Sequence, residues 1–395
     1  MSSSPGRGGT RAGTWAILGT ALALLAAPAS LARAESPVAV DQPGLHAIAE
    51  AWRVQAQAPG VVVGIQIGDG PPLFVATGTV SDGSAALTVD ATFEIASITK
   101  TFTGRLVLDL ADAGVLGLDD TLDRWLPDFP RADAITICQL LTHTSGIPPE
   151  WNENGPTPWS DDMLQLVISD LTHTFTPEEV IGIVRDRVLL FEPGTGVQYS
   201  NVNAIPLGEV VAAATGTDYA TALHDRLLTP LALDHTSFRA VDDGVHATGG
   251  VGQLPDGTVY DTGTMPDRAL LSFMGPAGAM VSTPADLLEW GVDDFRAGVV
   301  DAADLAGSRF EVMPDGTALG VVPWSSLSGF CLFGGCTGPV MFDAIAGVGL
   351  SPGTSSMVVY LPRLDATIVA FSNSSATEVD SLVHDIVTAL APETK

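Results

Sequence analysis

Short β-branched runs cluster near the two ends of this chain, and patterns of helical spacing fill the stretch between them. His46 to Ala56 reads as a helix that stops before Pro59. Val61-Val62-Val63-Gly64-Ile65-Gln66-Ile67 follows as a β-branched run, and Leu73 to Thr77 lies beyond a Gly-Asp-Gly-Pro-Pro turn, which predicts a strand pair. From Ile98 the apolar residues Phe102, Leu106 and Leu110 step by four, and Gly114 closes that helix. Thr176-Pro177-Glu178-Glu179 is a capping box with proline at the first helical position, opening a helix through Val188. Further helices are predicted over Ile205 to Ala214, over Tyr219 to Leu228, and from Ser282-Thr283-Pro284 through Trp290. Val340 to Ala346, Ser356 to Leu361 and Thr367 to Ser372 read as strands, the last two joined by a tight turn at Pro362 to Asp365. Val379, Leu382, Val383, Ile386, Val387 and Leu390 form a stripe at helical spacing that packs on a sheet.

Strands at both ends with helices between them predict one sheet assembled from both chain ends, carrying a helical insertion over about 95–290. The fold class is α/β in the α+β sense, with a domain over 46–392 preceded by a linker over 35–45. Hydrophobic residues make up 46% of the 395 and charged residues 16%, a globular composition with ample core. The formal charge of -29 argues against nucleic acid or an anionic membrane surface as a partner.

The first 34 residues read as a secretory signal peptide. Arg7 and Arg11 precede an apolar run from Trp15 to Ala27, and Ala32-Arg33-Ala34 offers a small-x-small cleavage site. A membrane anchor is the competing reading, but about 13 apolar residues are short for a span, and no second long apolar run follows. Export to a periplasm or medium is the expectation. There, Cys331 and Cys336, which bracket a glycine-bearing turn, could close a small disulfide loop. Cys138 sits on an apolar pattern and reads as a buried free thiol.

Candidate chemistry begins at Phe93-Glu94-Ile95-Ala96-Ser97-Ile98-Thr99-Lys100, where a serine precedes a lysine by three residues, a spacing that shares one helix face. Lys100 and Lys395 are the only lysines in the chain. Arginine cannot give up its proton, whereas a buried lysine can have its pKa lowered far enough to act as a base. A solvated surface lysine is the plainer alternative. A second constellation is Glu192-Pro193-Gly194-Thr195-Gly196-Val197-Gln198-Tyr199-Ser200-Asn201, a turn that delivers a phenol and an amide two residues apart.

Together with Leu140-Leu141-Thr142-His143-Thr144-Ser145-Gly146 and Gly278-Ala279-Met280-Val281-Ser282-Thr283-Pro284-Ala285-Asp286, these stretches resemble motifs of the β-lactamase-related serine hydrolases. That family includes D-alanyl-D-alanine carboxypeptidases, class C β-lactamases and esterases of one fold, and the resemblance spans roughly Ile48 to Leu390. It implies that Ser97 forms an acyl-enzyme with Lys100 as base, that Tyr199 relays protons, and that Asn201 positions Lys100 and the substrate amide. Backbone N–H groups of Ser97 and of the facing strand would make the oxyanion hole.

The family's third motif carries a Lys or His on that strand, six residues before a glycine. Counting back from Gly353 gives Gly347-Val348-Gly349, without the cation, and Leu350 as the second oxyanion donor. The missing charge weakens recognition of a substrate carboxylate, although Arg268 or Arg239 could substitute in space. The expectation is therefore a D-alanyl-D-alanine carboxypeptidase-like enzyme acting on a small-molecule or peptidoglycan-peptide substrate. A carboxylesterase or β-lactamase-like amidase is the same-fold alternative, and a non-catalytic module binding cell-wall peptides is the alternative of another class. No metal or organic cofactor is implied. His143 reads as a structural hydrogen-bonding residue, Trp151 and Trp159 as loop packing, and Asp119-Asp120 as a turn and cap pair. His173, His224, His235, His246 and His384 are scattered without evident partners.

Overall fold

The computed structural model describes residues 40–149, 166–167, 169–185, 187–239, 248–253, 259–262, 267–296, 321–323 and 345–390. The leader, Trp151, Trp159, His246, Cys331, Cys336 and the first five residues of the strand expected from Val340 lie outside them. Helix α1 spans Gln42–Ala56, capped by the Asp41 side chain, which accepts from Gly44 N at 2.9 Å. It therefore starts four residues before the expected His46 and inside the stretch read as linker. Pro43 fits the first helical turn, where its missing N–H costs nothing.

Strands β1 (Gly60–Ile67) and β2 (Leu73–Gly78) form the expected pair. Strand β3 (Phe93–Glu94) leads into helix α2 (Thr99–Asp112), and helix α3 (Ile137–Leu141) lies beyond. Helices over Pro177–Arg185, Ala204–Thr215, Tyr219–Leu223, Arg268–Met274 and Pro284–Trp290 fill the middle, with short strands β4 (Ser237–Phe238), β5 (Val251–Gln253), β6 (Val259–Asp261) and β7 (Met280–Ser282). The capping box at Thr176 is present, with Thr176 N donating to Glu179 Oε2 and Glu179 N to Thr176 Oγ1. That helix ends at Arg185, short of Val188, whose side chain is 86% exposed. The segment expected as one helix from Tyr219 to Leu228 changes at His224 into a π-helical turn.

Strands β8 (Val321–Pro323), β9 (Ile345–Ser351), β10 (Thr354–Leu361) and β11 (Ala366–Ser372) complete the main sheet, and Asp380–Leu390 is the last described helix. The strand order is β2-β1-β11-β10-β9-β8, with every pair antiparallel, so β1 from one end of the chain hydrogen-bonds β11 from the other. One sheet assembled from both chain ends is what the sequence pattern predicts.

Alternation along β1 sorts the core into two layers. Val61, Val63 and Ile65 face Leu45 and Trp52 of α1 and Leu382, Val383 and Ile386 of the last helix. Val62 faces the other way with Val358, Val369 and Phe371, toward Ile95, Phe102 and the middle helices. Trp52 Nε1 donates to Ser381 Oγ at 2.8 Å, tying the two outer helices together. Among the described residues no helix is long and apolar enough to cross a membrane.

Candidate active site

Strand β3 and helix α2 meet at a sharp corner. Ile95 N donates to Met280 O at 3.0 Å, and the next residue, Ala96, sits at φ +43, a left-handed conformation that costs a residue with a Cβ about 1 kcal/mol. A single helical turn over Ala96–Ile98, closed by Ile98 N donating to Ile95 O at 3.0 Å, then opens α2 and holds Ser97 at its start. The corner is held from behind, where Phe102 stacks on Trp290 at 3.8 Å and Trp290 Nε1 donates to Thr101 Oγ1 at 3.0 Å.

Lys100 is one turn on and 5% exposed. Its Nζ lies 3.0 Å from Ser97 Oγ, 2.5 Å from Asn201 Oδ1 and 2.8 Å from the carbonyl of Ala277. Tyr199 Oη is 3.1 Å from Ser97 Oγ and 3.1 Å from Asn201 Oδ1, and Lys100 Nζ stands 5.2 Å from the centre of the Tyr199 ring. The structure thus brings together four residues singled out from the sequence, three elements apart in the chain. It adds Ala277 O, which sequence reasoning missed because a backbone carbonyl has no residue-type signature.

Strand β9 passes this corner closely. A Cβ built on Gly349 would lie 2.1 Å from Ile95 O, so glycine alone fits there. Gly347, two residues back on the same face, is buried against Val358, Phe295 and Thr101, and brings no charge. Leu350 pairs with Ser355 of β10 and is half-buried. Strand β8 pairs with β9 only over Ile345 to Gly347, so among the described residues the edge of β9 at Gly349 and Leu350 is left for another partner. Of the two arginines considered as substitutes for the missing cation, Arg239 is engaged with Asp267, Nη1 to Oδ2 at 2.8 Å. Arg268 opens the helix Arg268–Met274 and is half-exposed.

His143 lies behind Tyr199, with ring centroids 4.6 Å apart. It is buried and sits at φ +57. Its Nδ1 lies 3.3 Å from Ser200 N and 3.0 Å from Asn203 Nδ2. Burial pushes its pKa down to about 3. Cys138, on α3, is half-buried rather than buried as expected. Asp120 Oδ2 accepts from Gly117 N at 2.8 Å, the turn role read from the sequence.

The family model described as Beta-lactamase matches residues 42–393. Penicillin-binding protein 4 of Amycolatopsis lactamdurans is 30% identical over 281 residues, which cover 67% of this chain and 68% of that protein. Penicillin-binding protein 4* of Bacillus subtilis (strain 168) is 32% identical over 185 residues, 43% of this chain, and the match spans 38% of that relative's length. Among solved structures, D-amino acid amidase from Ochrobactrum anthropi SV3 superposes with a TM-score of 0.71 at 21% identity, covering 89% of this chain and 99% of that one.

Proposed function

The chain belongs to the β-lactamase family of serine hydrolases, and we propose that it works through an acyl-enzyme on Ser97, with D-alanyl-D-alanine peptides as its substrate class. The observation that carries this reading is the approach of one hydroxyl to two groups that can exchange its proton, Lys100 Nζ at 3.0 Å and Tyr199 Oη at 3.1 Å. Ser97 Oγ attacks the carbonyl carbon and its proton passes to the neutral amine of Lys100. The oxyanion is held by the N–H groups of Ser97 and Leu350, each worth about 2.7–4 kcal/mol in such a site. Tyr199 then gives a proton to the departing amine as the C–N bond breaks. In the second half a water takes the place of the leaving group and gives a proton back to Tyr199 as it attacks the acyl carbon. The bond from that carbon to Ser97 Oγ breaks, Lys100 returns the proton it holds to Ser97 Oγ, and the acid leaves. Asn201 Oδ1 keeps Lys100 in line.

The named relatives are penicillin-binding proteins, which makes a penicillin the natural probe of the peptidase reading. Export of the enzyme to the compartment that holds peptidoglycan rests on the leader-like first 34 residues.

Gly347 favours a second reading. With no cation there, a substrate carboxylate loses a charge-assisted hydrogen bond worth about 1.5–3 kcal/mol, which leaves a neutral acyl ester or amide as the better fit. The two readings separate when purified protein meets a fluorescent penicillin, a D-alanyl-D-alanine peptide and a short-chain nitrophenyl ester. Penicillin labelling with release of D-alanine is expected. Ester turnover without labelling or D-alanine release would sink the peptidase reading.

A further inference from the structure

We propose that His143 is a positioning residue for Tyr199, held as a neutral imidazole with its proton on Nε2. This rests on the catalytic reading above. Ser200 N is a backbone amide and can only donate, so the atom it meets at 3.3 Å, His143 Nδ1, must accept. The second neighbour agrees. Ser145 Oγ already accepts from Ile147 N at 3.1 Å and donates to Asn203 Oδ1 at 2.6 Å, which turns the Asn203 amide so that its Nδ2 donates to the same Nδ1 at 3.0 Å. With two donors converging on Nδ1, the remaining proton sits on Nε2.

One residue thereby grips both sides of the phenol. Gln198 N donates to His143 O at 3.0 Å and Ser200 N donates to His143 Nδ1, so the residues before and after Tyr199 are both anchored on His143. The imidazole also walls the phenol ring at 4.6 Å. Tyr199 Oη is left where it meets Ser97 Oγ and Asn201 Oδ1, each at 3.1 Å. The left-handed backbone at His143 is part of the grip, because it aims the carbonyl and the ring at the same extended segment. Among the described residues none accepts from Nε2. A cavity of about 20 Å³ bordered by Lys100, Thr103, His143 and Asn203 adjoins the residue, room for one water.

Two measurements test this. In 15N NMR of the whole protein, His143 should show the Nε2–H tautomer and no titration between about pH 5 and 8. An Nδ1–H tautomer, or a titration in that window, overturns the proposal. His143→Asn keeps an acceptor where Nδ1 stood and tolerates the left-handed backbone, whereas His143→Phe keeps the ring and leaves two donors unanswered. The Phe variant should lose about 100-fold in kcat with KM within about 3-fold and a shifted pH profile, and the Asn variant should recover at least about 10-fold of that loss with the wild-type profile. Wild-type kcat in the Phe variant overturns the proposal, and if that variant fails to fold, an Asn variant down by more than about 100-fold does so instead. Full turnover by Ser97→Ala would overturn the catalytic reading separately, while the tautomer measurement would still stand.

Discussion

Lys100 shows how a single residue's neighbours decide its chemistry. Its amine meets Ser97 Oγ, Asn201 Oδ1 and Ala277 O, which fix it in place beside the nucleophile. Lys100→Arg keeps the cation but removes a group that can take a proton, so kcat should fall by about 10²- to 10⁴-fold while the fold persists. Steady-state kinetics with near-ultraviolet circular dichroism checks this, and a variant within about 10-fold of wild type would remove Lys100 from the proton path. The Ser97, Lys100, Tyr199 and Asn201 set was legible in the sequence because residue type and spacing carry it, helped by the scarcity of lysine. Ala277 was not, and neither was the left-handed Ala96, since backbone direction leaves no trace in an ordinary alanine.

At the level of elements, the site depends on how closely β9 approaches the β3–α2 corner. Gly349→Ala would put a methyl carbon 2.1 Å from Ile95 O, forcing the strands apart at the cost of about 1–3 kcal/mol. Both kcat/KM and the urea midpoint should fall, and an unchanged kcat/KM would show that β9 does not shape the site. This strand was the element read least well. The sequence pattern placed it over Val340 to Ala346, but it runs to Ser351, through two glycines of poor strand propensity that pairing with Ser356 and Val358 overrides. The start of α1 was misread for a related reason, because Pro43 and Gly44 have linker composition yet lie in a capped first turn. Both the sheet built from two chain ends and the last helix were legible, since β-branched runs and a full apolar stripe outweigh local noise.

On the scale of the whole molecule, two buried groups oppose each other in pH dependence. His143, with an ordinary value of 6.5 lowered to about 3 by burial, is neutral when folded and charged when unfolded between those values. Unfolding then takes up a proton, so its contribution falls as pH drops below 6.5. Asp294 is raised from 3.8 to about 7 by burial, against the pull of Arg105 at 3.1 Å, and its Oδ2 has no hydrogen-bond partner among the described residues. Its unfolding releases a proton, so its contribution falls as pH rises from 3.8 toward about 7. Between pH 4.5, above the range where Glu50 titrates, and pH 6.5, the two slopes offset. Urea unfolding across that window should show His143→Asn gaining stability relative to wild type as pH falls and Asp294→Asn losing it, and parallel curves for all three proteins would contradict both assignments. The central claim, that Ser97 is the acylated atom's owner, is tested most directly by intact-protein mass spectrometry after brief exposure to a penicillin or a nitrophenyl ester. The expected result is one added acyl group, located on the peptide that contains Ser97 and missing from Ser97→Ala. An adduct of the same mass on the Ser97→Ala protein would contradict it.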